Sequence, residues 1–176
     1  MTELRTAHTA DLGAEEKAAI RSLMDAAFGV VSDDIFDNTL GGVHALIFSG
    51  GELIGHGSVV QRRMLHAGRA IRTGYIEGVA VRADRRRQGH GARLMAPLER
   101  IVRSAYDLGA LGASPDGTRL YASRGWQRRR GPSSAMTPDG IRPTPGAEES
   151  IYVLPVSVPL DVSGELTCDF RPASLW

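Results

Sequence analysis

The residues from 74 to 92, GYIEGVAVRADRRRQGHGA, concentrate the chemistry of this chain. A β-prone run ends there in a basic, glycine-containing turn, and a helical period starts directly after it. At such a helix start several backbone N–H groups lack an intrahelical partner and the helix dipole favours an anion. Gly89 and Gly91 let the backbone approach a ligand closely, and Arg85, Arg86 and Arg87 add positive charge. The segment therefore reads as a phosphate cradle, against the plainer reading of a glycine-containing loop. It has neither the Gly-Lys-Ser/Thr ending of a P-loop nor the full dinucleotide fingerprint.

Two ionisable residues stand near this motif or share its chemistry. Glu77 precedes Gly78, where a bulge would re-aim a strand side chain; by itself it is an exposed strand carboxylate. Tyr121 opens LYASRGW and by itself reads as a packed aromatic. His44 and His56 lie in strand-like runs and read as packed side chains rather than ligands. His66 and His90 fall in turns and read as solvated, with the His90 backbone beside the cradle. No His, Asp or Glu grouping has metal-ligand spacing. Cys168 is the single cysteine; it excludes an internal disulfide and a Cys-based zinc site and reads as a small buried hydrophobe. Arg128 to Arg130 read as a solvated strand end rather than a second phosphate contact.

The elements that must position these residues follow from periodicity. A short strand over 4–9 leads to Asp11 as N-cap and an amphipathic helix over 12–28, with Ile20, Leu23, Met24, Ala27 and Phe28 on one face and Gly29 as its stop. Residues 30–38 are a loop with a short helix. Three β-rich runs, 43–48, 52–65 and 69–82, are joined by tight glycine-containing turns, the signature of an antiparallel meander. A second helix runs from about 92 to 107, with Pro97 inside it as an expected kink. Then come a strand over 109–113, a turn at Ser114 to Gly117, a helix over 118–124 and a strand at Gly125-Trp126. Residues 131–150, rich in proline and glycine, read as loop. A last strand over 151–158 precedes an irregular tail. No repeat or second core is visible, so the expectation is one α/β domain over 1–176.

Composition narrows the function classes. The chain has 176 residues, 42% hydrophobic and 23% charged, with a formal net charge of +1, which is globular composition. Lys17 is the only lysine among 21 basic residues. Balanced charge speaks against a general nucleic-acid coat. No apolar run reaches the ~20 residues of a membrane span, and the polar start MTELRTAHTADL does not read as a secretory signal, so the expected compartment is the cytoplasm.

Arg86-x-x-Gly89-x-Gly91 after a strand resembles the acetyl-CoA pyrophosphate motif of the GNAT acetyltransferase superfamily. Five ordered blocks narrow the likeness: TLGGVHAL (39–46), VVQRRM (59–64), GYIEGVAV (74–81), LYASRGW (120–126) and LTCDFRPASLW (166–176) resemble the aminoglycoside 2′-N-acetyltransferases. The resemblance implies an α/β GNAT fold, a mixed and mostly antiparallel sheet splayed where coenzyme A lies and flanked by helices. It implies that Val79, Ala80 and Val81 hold the pantetheine chain and that Arg86, Arg87, Gln88, Gly89, His90 and Gly91 hold the pyrophosphate. It makes Glu77 the group that acts on the substrate amine and Tyr121 the acid that protonates the departing thiolate, a sensible pairing given ordinary pKa values of ~10 for tyrosine and ~8.5 for a thiol. Asp33, Asp34, Glu77, Gly78, Gly112, Glu148 and Trp176 become substrate-binding residues. Trp176 acts through a tail over about 159–176 that folds back to the active site; Glu149 and Asp169 are further acids for a cationic substrate. The resemblance also implies a homodimer, and a part in antibiotic resistance or in ordinary metabolism.

The chain departs from the family at Ser174 and Gly112, where an acidic residue and a serine are usual, and in a shorter acidic loop at VVSDDIFDN. These departures bear on the amine side and leave the coenzyme A side intact. The expected activity is direct acetyl transfer from acetyl-CoA to an aminoglycoside 2′-amine in a ternary complex, with no metal. The rivals are a GNAT enzyme for another small amine and a non-catalytic acyl-CoA or aminoglycoside-binding module, which retention of Glu77 and Tyr121 argues against.

Overall fold

The three expected β-runs form strands β2 (Val43–Ser49), β3 (Glu52–His66) and β4 (Arg69–Val81) in a computed structural model that describes every residue from Met1 to Trp176. The chain divides into two compact units, one of Met1–Val60 with Ile76–Ile101, the other of Gln61–Tyr75 with Val102–Trp176. Strands β3 and β4 and the long helix α3 (His90–Ala105) each contribute one end to either unit.

The first unit begins with β1 (Thr2–His8), antiparallel to β2 from Thr2↔Ser49 to His8↔Val43. Strand β2 in turn pairs antiparallel with β3, from Val43↔Val59 onward. Helix α1 (Ala14–Phe28) buries Ile20, Leu23 and Met24, the stripe that its 3.6-residue period sets aside. Leu12, Ile20, Met24, Val31 and Leu46 form one apolar cluster, with Ala7, Phe36, Phe48 and Leu53 packed against it. The cap of α1 is not Asp11. Residues 9–11 make a 3₁₀ turn instead, and Gly13 caps the helix, its N–H donating to Glu16 Oε2 at 3.2 Å. Glu16 three residues into the pattern is the capping-box signal that points there. Gly29 ends the helix as expected, and a short α2 (Asp33–Asp37) follows, capped by Ser32 Oγ accepting from Ile35 N.

The second unit is built on a mixed sheet in the order β6-β9-β5-β4-β3-β10-β7-β8. Its strands are β5 (Leu108–Gly112), β6 (Gln127–Arg128), β7 (Ser133–Thr137), β8 (Gly140–Pro143), β9 (Ile151–Pro155) and β10 (Leu166–Cys168). Strands β5 and β9 are antiparallel, whereas β10 lies parallel to β7 and antiparallel to β3. Helix α4 (Thr118–Ser123) precedes β6.

Three expectations for this unit need correction. Residues 131–150 are not all loop, because Thr137-Pro138-Asp139-Gly140 is a tight turn that pairs β7 with β8; Pro-Asp-Gly is itself a turn signal. The tail is not wholly irregular. Three of its residues make β10, where Thr167 Oγ1 meets Ser134 Oγ at 2.7 Å. Gly125 and Trp126 precede the strand rather than form it, and Trp126 is buried. Helix α3 continues through Pro97 and buries Leu94, Met95, Leu98 and Val102.

Candidate active-site residues

The cradle lies wholly in the first unit. A 3₁₀ turn over Ala83–Arg85 leaves β4, and α3 starts at His90. Side chains close the turn from within: Arg86 Nε donates to Val81 O at 3.1 Å and Gln88 Nε2 to Asp84 O at 3.2 Å. Arg82 forms ion pairs with Asp84 and Glu52 at 2.7 and 2.8 Å. Arg87 and Gly89 adopt left-handed backbone at φ 59° and 81°. A side chain at Gly89 would meet no atom within 4 Å, so the space over the cradle is open, while its φ still favours glycine. His90 is not solvated. It is only 7% exposed, and its Nδ1 has no partner within the protein. Open space, a helix start and a buried ring nitrogen suit an anion with acceptor oxygens. Before the turn, Val79 and Val81 are half-buried and Ala80 is buried.

Glu77 and Gly78 sit on β4 just before this segment, both half-buried. Gly78 carries φ 55° in mid-strand, the glycine kink its position suggests. A side chain there would press within 3.2 Å of Met24 Sδ and Thr39 Cγ2 and 3.3 Å of His56 Cε1. The Gly78 carbonyl accepts from His56 Nδ1 at 2.8 Å; His56 Nε2 meets His44 Nδ1 at 2.9 Å, and His44 Nε2 meets Thr9 Oγ1 at 2.7 Å. Both rings are fully buried. Burial first, then the charges of His8 and Lys17, pulls His44 down to about 4; burial and His44 pull His56 down to about 3. Both are neutral near pH 7. His44 and His56 are packed, as their strand setting suggests, and they also form a polar connection to the kink.

Of the early acids, Asp33 pairs with Arg21 Nη1 at 2.8 Å and Asp34 is exposed in the first turn of α2.

The remaining residues belong to the second unit. Tyr121 is buried on α4, its ring 6.2 Å from Tyr152 and 6.4 Å from Trp126. Gly112 ends β5, and a side chain there would lie 3.6 Å from the Tyr75 hydroxyl and 3.8 Å from the Trp176 carbonyl carbon. The Trp176 indole donates to Thr144 Oγ1 at 2.8 Å. Glu148 Oε1 accepts from Gly146 N at 3.3 Å, and its Oε2 is buried with no partner in the protein. Asp169 accepts from Arg62 Nε at 2.6 Å and from Arg63 N at 3.0 Å. Cys168 is buried, and burial pushes its thiol pKa up. Arg129 is no solvated strand end. It is 1% exposed and donates to the carbonyls of Pro132 and Gly164 at 3.0 and 2.7 Å.

Arg62 and Tyr75 are absent from the residues that sequence reasoning singled out. The Arg62 guanidinium lies 4.7 Å from the Tyr75 ring centroid and Arg171 lies 5.0 Å from it. Arg62 also donates to Leu175 O at 2.8 Å. Alternation carries the missed signal: Val60, Arg62 and Met64 are buried while Gln61 and Arg63 are exposed, so Arg62 shares the inward face of β3.

Comparison with known proteins identifies the family. Residues 10–126 match the acetyltransferase (GNAT) family. The chain is 44% identical over 98% of its length to an aminoglycoside 2′-N-acetyltransferase of Mycolicibacterium fortuitum, of which it covers 91%. In structure it resembles the GNAT family N-acetyltransferase YhbS of Escherichia coli, solved in complex with CoA, with a TM-score of 0.64, 17% identity, and 95% and 89% of the two chains covered. A GCN5-related N-acetyltransferase from Kribbella flavida matches with a TM-score of 0.58 and 21% identity over 72% of this chain, which spans 33% of that longer protein. No helix is long and apolar enough to cross a membrane. The mixed sheet flanked by helices is thus that of a GNAT enzyme: the chain belongs to the GNAT acetyltransferase family, whose members transfer acetyl groups from acetyl-CoA.

Proposed function

We propose that this enzyme transfers the acetyl group of acetyl-CoA to the 2′-amine of an aminoglycoside, directly and within a ternary complex. The observation that carries this reading is the 44% identity, across 98% of the chain, to an aminoglycoside 2′-N-acetyltransferase. The cradle fits acetyl-CoA: the space over Gly89 is open, α3 starts beside it, and His90 Nδ1 has no protein partner.

Arg86, Arg87, Gln88, Gly89, His90 and Gly91 hold the pyrophosphate, and the backbone of Val79, Ala80 and Val81 holds the pantetheine chain. Acetyl-CoA supplies the acetyl group as a thioester. Glu77 takes one proton from the substrate ammonium, freeing the lone pair that attacks the acetyl carbon. As the C–N bond forms and the C–S bond breaks, the Tyr121 hydroxyl gives its proton to the sulfur; the second proton leaving the nitrogen restores the Tyr121 hydroxyl and Glu77 releases its own to water, so the products are an amide and a neutral thiol. Direct transfer is favoured because Cys168, the only thiol, is buried with a raised pKa and is no nucleophile.

Asp33, Asp34, Gly78, Gly112, Glu148 and Trp176 bind the cationic acceptor with Glu77. Glu148 is favoured among the acids because its Oε2 has no protein partner, whereas Asp33 already faces Arg21. The same reading makes the enzyme cytoplasmic and homodimeric, which fractionation and light scattering test.

A thiol-release assay with acetyl-CoA tests the substrate class. Gentamicin and tobramycin, which carry a 2′-amine, are expected to be turned over, while kanamycin A and amikacin, with a 2′-hydroxyl, are expected to be poor acceptors. Equal turnover of kanamycin A would overturn the 2′ assignment and leave the acetyltransferase.

A further inference from the structure

The hydrogen bonds that join Thr9, His44, His56 and Gly78 have a direction fixed at one end. The Gly78 carbonyl can only accept, so the hydrogen of His56 sits on Nδ1, 2.8 Å away. A neutral imidazole carries one N–H, so His56 Nε2 must accept, and its only partner is His44 Nδ1 at 2.9 Å. By the same rule His44 Nε2 accepts from the Thr9 hydroxyl at 2.7 Å. The Thr9 oxygen itself accepts from Gly41 N at 2.9 Å. Every bond therefore points the same way and ends on the kinked peptide of β4.

That peptide is the one that needs holding. At φ 55° Gly78 has a backbone conformation that a regular strand lacks, and its carbonyl takes a donor from the buried His56 ring. Because a peptide is planar and trans, fixing the Gly78 carbonyl also fixes the opposed N–H of Val79. The kink is thereby held between Glu77 on one side and Val79 on the other.

We infer that His56, oriented by His44, is a positioning residue for acetyl transfer: its Nδ1–H locks the Gly78–Val79 peptide and so aims Glu77. The inference rests on the proposed role of Glu77. It requires both histidines to be in the Nδ1–H form, and it makes the bond to Gly78, rather than the bulk of the ring, the feature that catalysis uses.

Two near-isosteric variants separate these features. His56→Asn places an amide N–H where Nδ1 was and keeps the bond to Gly78, but loses His44. His56→Gln reaches His44 but not Gly78. With tobramycin as acceptor, His56→Gln is expected to lower kcat by ~30-fold, as small misplacements of reacting groups do, with the KM for acetyl-CoA within ~3-fold. His56→Asn is expected to keep kcat within ~3-fold of the unaltered enzyme. Nitrogen-15 spectra of the unaltered protein near neutral pH are expected to show both rings as Nδ1–H tautomers. Equal kcat in the two variants, or an Nε2–H signal for His56, overturns the inference. Glu77→Gln measured in parallel keeps the failures apart. If Glu77→Gln is unimpaired while His56→Gln is slow and His56→Asn is not, the base role of Glu77 falls while His56 still positions the kinked peptide. If it is impaired while the two His56 variants match, only the positioning role falls.

Discussion

Arg62 donates from Nε to Asp169 Oδ1 across 2.6 Å, tying β3 to a residue 107 positions later in the chain. The two partners are unequally buried, with side chains 3% and 33% exposed. Burial works against the charge of Arg62, but the charge and hydrogen bond of Asp169, with the ionisable groups of Tyr75 and Cys168, more than offset it and hold its pKa above the usual arginine range. Removing the acid therefore strands a buried cation, whereas removing Arg62 leaves a carboxylate that can turn to water. Asp169→Asn is expected to destabilise the protein by about 3 kcal/mol, and by more than Arg62→Met does. Urea denaturation of both variants checks the order, and the reverse order would contradict it.

The buried histidines give stability a dependence on pH whose sign is fixed. Above pH 6.5 neither the folded nor the unfolded chain protonates them. Below it the unfolded chain does, while His44 and His56 resist until about 4 and 3. Unfolding then takes up protons, so stability falls as the pH drops, by up to about 1.4 kcal/mol per pH unit for each ring. Urea midpoints between pH 7 and pH 5 are expected to fall less steeply in a His44→Gln, His56→Asn double variant. Parallel curves would show that the pair does not carry this dependence.

Gly89→Val tests the cradle. The backbone there has φ 81°, and the added side chain would enter open space rather than strike protein. The folded protein is expected to lose about 1–2 kcal/mol through backbone strain. Acetyl-CoA affinity is expected to fall more than ~10-fold, because the side chain fills the space above the helix start. Calorimetry showing unchanged affinity in a folded variant would move the phosphate site elsewhere.

What could be read from the sequence, and what could not, follows from how far each signal reaches along the chain. Period-2 and 3.6-residue patterns placed β2, β3, β4 and α3 because a local stripe of apolar residues is enough to define them. The basic turn between β4 and α3 is legible for the same reason, as strand, turn and helix start are contiguous. The hairpin of β7 and β8 was obscured by proline and glycine, which mark its turn and edge as well as loops. Strand β10 has three residues, and its existence depends on β3 and β7, far away in sequence. The same holds for the side chains: nothing local to His44, His56, Arg62 or Arg129 says what each would be buried against.

Glu77→Gln and Tyr121→Phe separate the two proton transfers. The first keeps size but removes the proton acceptor, and is expected to lower kcat/KM by ~10²–10⁴-fold and to remove the acidic limb of its pH profile. The second keeps the ring packed against Trp126 and Tyr152, and is expected to lower kcat and alter the alkaline limb with little change in acetyl-CoA binding. Normal rates and unchanged profiles in both variants would dismiss the proposed chemistry.

The position of the new amide bond tests the central claim most directly. Tobramycin incubated with acetyl-CoA and the enzyme, then examined by two-dimensional NMR, is expected to carry one acetyl group, on the 2′-nitrogen, with an equal amount of free coenzyme A thiol released. Acetylation at a different nitrogen, or thiol release without an acetylated aminoglycoside, would contradict the account.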